Sequence, residues 1–199
     1  MTSEAPDRGD LRQIGKQAVR AEIVHRAVIL LDERGFDETT VEEISAAVGI
    51  SPRSFFRYFA TKEDLAIGDL MPMGRLIEQA LLARPEKESP WVALRAALKP
   101  LEDIAEGDTE NVRRASRVAL STAGLRAKTM ERHAAWAAAL APIVARRLSG
   151  SQDHASLAAE AITQSALACL YVATTTWSAG GTRSYSLLLD EAFEAVEQM

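Results

Sequence analysis

The sequence predicts an all-α protein of about nine helices, a small N-terminal three-helix unit followed by a larger helical C-terminal unit. Three observations predict it. Alanine is abundant and β-branched runs are scarce, a composition that favours helix over strand. Helix-starting caps stand between residues 36 and 65, where Thr40 is followed by Glu43, Ser51 by Pro52 and Thr61 by Asp64. Apolar residues elsewhere recur at spacings of three and four, as a helix with one buried face requires.

Residues 1–16 are expected to form a flexible arm, residues 17–66 a helix-turn-helix unit and residues 67–199 the second unit. The first helix spans about residues 16–34, with Ile23, Ala27, Leu30 and Leu31 on one stripe, and Gly35 ends it. Phe36 then plugs a small core formed with Ile44, Val48, Phe55 and Phe59. Thr40 and Glu43 make a capping box that starts the second helix, and Gly49 supplies the turn that ends it. Ser51 caps the third helix, with Pro52 at its first position, where a missing N–H costs nothing. Two short helices across a tight glycine turn form the element that lays its second helix in the DNA major groove.

A fourth helix starts at Lys62 and runs past Leu70, with Pro72 kinking it. After a polar loop at residues 86–90, the fifth helix spans about 90–105 and bends near Pro100. The sixth covers about 109–122. The seventh covers about 126–148, with a bend at Pro142. The eighth, about 153–178, is apolar nearly all round and so has to be covered on every side. After Gly180 and Gly181 the ninth helix places Tyr185, Leu188, Leu189, Ala192, Phe193 and Val196 along one face.

Charge bears on function. The net charge of −5 opposes nucleic-acid binding, but its distribution is uneven. Residues 51–62 carry Arg53, Arg57 and Lys62 with no acid, and residues 8–20 carry four basic residues against Asp10. Phosphates respond to the surface that docks, since charges beyond about 8 Å are screened at physiological salt. No apolar run of about 20 residues stands out, so no membrane span is expected, and the polar first 20 residues exclude a signal peptide. Cys169 is the sole cysteine and fits a reducing cytoplasm, so the expected location is cytoplasmic.

The run Gly35-Phe36, Thr40-Val41, Ile44, Gly49-Ile50-Ser51, Phe56, Tyr58-Phe59, Lys62-Glu63 and Leu65 resembles the N-terminal domain of the TetR family of one-component transcriptional regulators. Phe56 departs from the pattern: many members carry Tyr there, so a hydroxyl that often meets a phosphate is absent. The resemblance implies a DNA-binding repressor that holds a pseudo-palindromic double-stranded operator as a homodimer and is released by a small-molecule effector, expected to be hydrophobic. No cofactor is implied.

The expected DNA-binding residues are Thr40, Ser51, Pro52, Arg53, Ser54, Phe55, Arg57, Tyr58 and Lys62. Pro52, Arg53 and Ser54 lie at the end of the third helix that meets base edges, and Arg53 could donate two bonds to guanine, about 1–3 kcal/mol of discrimination. Arg57 and Tyr58 can reach phosphates, as can Thr40 and Lys62 at helix starts. Phe55 either touches a thymine methyl or belongs to the core.

For the effector, uneven side-chain size on the seventh helix suggests a cavity touched by Trp91, Met130, His133, Trp136 and Cys169, although the same residues could fill a plain core. Tyr185, Leu188, Leu189, Ala192, Phe193 and Val196 are the expected dimer interface, meeting their copies in a four-helix bundle with the eighth helix. His25, His133 and His154 lie far apart without metal-ligand spacing. No Ser, His and acid grouping suggests catalysis. The competing reading is a helical small-molecule carrier or enzyme sharing only the N-terminal motif, which would need ionisable residues gathered in its cavity.

Overall fold

A computed structural model describes residues 8–68 and 71–198; eleven helices and no strand occur among those residues. α1 (Arg8–Arg34), α2 (Val41–Val48), α3 (Pro52–Tyr58) and α4 (Lys62–Ile67) precede α5 (Met71–Leu82), α6 (Pro90–Ala97) and α7 (Lys99–Gly107). α8 (Thr109–Ser121), α9 (Ala123–Ala145), α10 (Gln152–Ser178) and α11 (Tyr185–Glu197) complete the order.

Two expected helices are each split in two. The fourth ends at Ile67 because Gly68 adopts φ 78° and ψ −177°, a conformation that side chains with a Cβ avoid. The fifth breaks at Leu98, and Pro100, which has no N–H to extend the preceding ladder, falls in the first turn of α7. α1 begins at Arg8, so residues 8–15 of the expected arm are helical; residues 1–7 lie outside the described residues. Gly9 and Gly15 cost the helix about 1 kcal/mol each, too little to stop a ladder already nucleated downstream.

Phe36, Ile44, Val48, Phe55 and Phe59 are buried together, joined by Ile23, Ala27, Leu31 and Leu65. That core takes in Val118 of α8 and Leu125 of α9, so the second unit helps to build the first. Charge adds to the joint. Arg117 of α8 donates two hydrogen bonds to Asp32 of α1 at 2.9 and 2.6 Å, and Lys128 of α9 reaches Asp64 of α4 at 3.3 Å. The Arg117 bonds hold the Asp32 carboxyl below the usual carboxylate range, against the upward push of partial burial.

α10 is the central helix of the second unit and packs against α6, α8, α9 and α11. It corrects the expectation about membranes: its 27 residues are long and apolar enough to cross one by length and composition. Its inner face carries Ala166, Leu167, Leu170 and Ala173 into the core, while Leu157 and Val172 stand exposed on the other side. Pro142 sits inside α9 without ending it.

Candidate nucleic-acid interface and effector cavity

Local hydrogen bonds set the reading helix. Thr40 and Glu43 exchange both bonds of a capping box at the start of α2, and Gly49 ends that helix in the left-handed region at φ 77°. Ser51 accepts from the Ser54 N–H with Pro52 in the first turn, which starts α3 at a sharp angle to α2. α3 then points Phe55 inward, fully buried, against Phe59 at 5.3 Å between ring centroids.

Phe55 is therefore core, and its expected base contact is withdrawn. The outward face instead carries Arg53, Phe56 and Arg57, at spacings of three and four from Arg53. Phe56 is 57% exposed, a large apolar side chain on the face that holds the two arginines. Sequence reasoning missed it because either neighbour of a Phe-Phe pair can be the buried one, although its spacing from Arg53 was the available signal. Pro52 is exposed and Ser54 half-buried at the start of α3, while Tyr58 is half-buried near its end.

Lys62 has a different position from the expected one. Its ammonium donates to the carbonyls of Phe36 at 2.7 Å and Thr39 at 2.9 Å and lies 4.1 Å from the centre of the Phe36 ring. It clasps the turn between α1 and α2. Similarly, the Thr40 hydroxyl lies 3.0 Å from the Glu43 carboxylate within its cap. Arg20 of α1 donates to the Tyr58 carbonyl, tying the end of α3 to α1.

A cavity of about 860 Å³ opens between the two units. α1 contributes Arg20, Val24 and His25, and α4 contributes Ala66 and Ile67, followed by Gly68. The opposite walls come from α5, α7, α8, α9 and α10, and Tyr185 reaches in from α11. Exposed Gln17, His25 and Arg75 form its rim, whereas buried His133, Trp136, Leu170 and Trp177 form its inner wall. The Trp136 ring stacks on His133 at 5.3 Å. Burial, with the nearby Arg132 charge, pushes the His133 pKa down to about 4, so at neutral pH its imidazole is uncharged.

Of the five residues expected at the cavity, His133 and Trp136 line it. The other three lie elsewhere. Trp91 packs on Phe193 at 4.6 Å, Met130 is 40% exposed, and the Cys169 thiol faces the Ala192 carbonyl at 3.3 Å inside the core. One turn separates Met130 from His133 and Trp136, and the position of α9 against α5 turns only the latter two inward.

The ninth-helix residues also face inward. Tyr185, Leu188, Leu189 and Phe193 are buried within their own chain, and Ala192 and Val196 pack against the same core. The Tyr185 hydroxyl meets that of Thr174 at 2.9 Å. These six residues cover the chain's own hydrophobic core, so they are not free to meet a copy. The outward apolar residues of this region are Leu157, Ala161, Ala168 and Val172 on α10 and Leu187 on α11.

The second unit also holds a buried ionic group that the sequence did not reveal. Glu102 is 3% exposed, pairs with Arg95 and accepts from the Ser186 hydroxyl at 3.2 Å, while Arg95 also meets Asp190. None of these residues lines the cavity; they join α6, α7 and α11.

Comparison with known proteins agrees with this arrangement. Residues 23–67 match the model of bacterial regulatory proteins of the tetR family, and residues 88–199, over half of the chain, match the MftR C-terminal domain. The transcriptional regulator TcmR of Streptomyces glaucescens is 33% identical over 152 residues, covering 73% of this chain and 67% of TcmR. MftR of Mycobacterium tuberculosis, by its name a mycofactocin biosynthesis regulator, is 34% identical over 124 residues; the aligned part covers 62% of this chain and 63% of MftR. Among solved structures, the regulator FadR of Bacillus subtilis in complex with stearoyl-CoA superposes with a TM-score of 0.62 at 19% identity, covering 87% of this chain and 95% of that one. FadR of Thermus thermophilus in complex with lauroyl-CoA gives 0.51 at 23% identity, covering 88% and 91%. These relatives are transcriptional regulators, not enzymes.

Proposed function

Because the chain belongs to the TetR family of transcriptional regulators, we propose that it is a homodimeric repressor which grips a pseudo-palindromic operator through α3 and releases it when a small molecule fills the cavity. Arg53 and Phe56 read base edges, with the Phe56 ring suited to a thymine methyl, and Arg57 meets a phosphate. Thr40, Ser51, Pro52, Ser54 and Tyr58 position the helix. One recognition helix buries too little for tight specific binding, whereas two in successive major grooves about 34 Å apart suffice. The outward stripe of α10, with Leu157, Ala161, Ala168 and Val172, is the face we assign to the dimer, continued by Leu187 of α11. Residues 17–66 are the reading unit and 67–199 the sensing and dimerising unit in this proposal.

One observation carries the switching. α4 is only six residues long and is shared by both sites: Leu65 is fully buried in the core under α3, while Ala66 and Ile67 line the cavity. A ligand that moves Ala66 and Ile67 moves the support of α3, and Gly68 gives α4 freedom to move against α5. Binding and release are then linked reciprocally, typically by 1–3 kcal/mol per site. The two neighbours solved with acyl-CoA make amphipathic acyl compounds a first group to screen.

The test is a titration of labelled duplex from upstream of the chain's own gene, with and without a compound that raises the thermal midpoint. The compound should weaken DNA binding about five- to 150-fold. A compound that binds the cavity and leaves DNA affinity unchanged would contradict the linkage.

A further inference from the structure

The cavity has a one-sided charge. Its walls include Arg20, Arg75 and Arg132, and no aspartate or glutamate lines it. Arg20 is occupied with the Tyr58 carbonyl, and Arg75 is exposed at the rim. Arg132 is different. It is largely buried, and among the described residues its guanidinium has no hydrogen-bond acceptor and no carboxylate; its Nε is buried without a partner. The nearest compensation is the Trp136 ring, 5.2 Å from the guanidinium carbon. Desolvation lowers its pKa to about 10, still high enough to keep it charged at neutral pH.

A buried charge without a counter-ion is a liability in the free protein, which a neutral side chain of similar size would relieve. Neighbouring groups add no negative charge. His133 is neutral, and the Arg113 guanidinium lies 4.8 Å from the centre of the Trp177 ring, behind the same wall. The Asn111 side-chain oxygen is also buried and unpartnered on the cavity wall. Turned over, that amide offers an N–H to the same guest. The remaining inner wall, with Trp136, Trp177 and Leu170, is apolar and aromatic.

We propose that the effector is an organic acid with an apolar body, its anionic group received by Arg132 and Asn111 at the inner wall and its body laid against Trp136, Trp177 and Leu170. This rests on the cavity being the effector site. The acid group enters a desolvated site where the guanidinium already waits, so the charge-assisted bonds are strong and geometrically specific. An acyl-CoA would place its charges differently, with the ester carbonyl uncharged at the inner wall and the phosphates at the exposed rim. The free acid is the class the buried arginine selects.

The experiment uses N-phenyl-1-naphthylamine, a neutral fluorophore, as the bound reporter. Dodecanoate, dodecanol and dodecanoyl-CoA are titrated to displace it from the full chain and from Arg132→Gln. Dodecanoate should displace the reporter from the wild type at concentrations about ten- to a hundredfold below those needed for dodecanol, the range expected of a bond to a charged group. Arg132→Gln should abolish that preference while retaining reporter and dodecanol affinity, and should melt no lower than wild type. Arg132→Lys should restore part of the preference. Equal displacement by acid and alcohol in the wild type would overturn the proposal, as would an acid preference that survives Arg132→Gln or a preference confined to dodecanoyl-CoA. Failure of the reporter and of all three compounds to bind would instead remove the cavity as the effector site, together with the proposal resting on it.

Discussion

Replacing Gly74 by alanine sets two calculable effects against each other. Gly74 lies within α5, and a Cβ built there would come within 2.5 Å of Trp136 Nε1 and 2.6 Å of Trp136 Cδ1. Ordinary contact begins near 3.4 Å, so the indole has to retreat by about 0.9 Å. It is poorly placed to do so, being stacked on His133 with the Arg132 guanidinium over its ring. Alanine favours a helix over glycine by about 1 kcal/mol, whereas forcing extra volume into a packed site costs about 1–3 kcal/mol. The clash should win, with a net loss of about 1 kcal/mol, or about 2–4 °C for a chain of this size. Gly15 of α1 is the control, since a Cβ there meets nothing within 4 Å. Gly15→Ala should raise the midpoint by a similar amount through propensity alone. Scanning calorimetry with tryptophan emission gives both readings, and Gly74→Ala should also weaken a cavity-bound reporter by pushing Trp136 into its space. A Gly74→Ala protein as stabilised as Gly15→Ala, with unchanged emission, would refute the close packing of α5 on Trp136.

Other outcomes follow from the same geometry. Arg53→Ala should relax base preference at one symmetric pair of operator positions, whereas Arg57→Ala should weaken all sequences alike and lower the salt slope by about one, both read by anisotropy titration. Val172→Asp on the outer face of α10 should give folded monomers by light scattering, while Phe193→Asp should lose folded protein altogether, because it places an unpaired charge in the chain's own core. Asp32→Asn should cost about 1 kcal/mol near neutral pH, since Arg117 is about a third exposed and screened. Because the folded Asp32 pKa lies below its unfolded value, that stability is present above the unfolded pKa and is lost as pH falls through the folded one. The wild-type advantage in urea titrations should therefore shrink on acidification.

What was legible in the sequence was mostly local. The caps at Thr40, Ser51 and Thr61 and the turn at Gly49 depend on residues three or four apart, and each forms as the spacing requires. Choices that depend on which element lies opposite were not legible. Phe55 and Phe56 are equally apolar, and only packing against Phe59 decides which one turns inward. The stripe from Tyr185 to Val196 announces a buried face but not its cover, which proves to be the chain's own α6, α7 and α10 rather than a copy. Gly68 was passed over in favour of Pro72, although a proline near a helix start is harmless and the glycine's backbone ended α4. Lys62 sits at a helix start, as a phosphate contact would, yet the carbonyls of Phe36 and Thr39 lie within its reach.

The central claim, that two copies of α3 read one duplex, is tested most directly by selecting bound sequences from a pool of randomised duplexes at physiological salt, with wild type and Arg53→Ala in parallel. The wild type should enrich an inverted repeat whose half-sites are centred about one helical turn, or a multiple of it, apart, and Arg53→Ala should lose preference at one matched position in each half. A wild-type pool that stays random, or that yields a single unrepeated motif indifferent to Arg53→Ala, would contradict it.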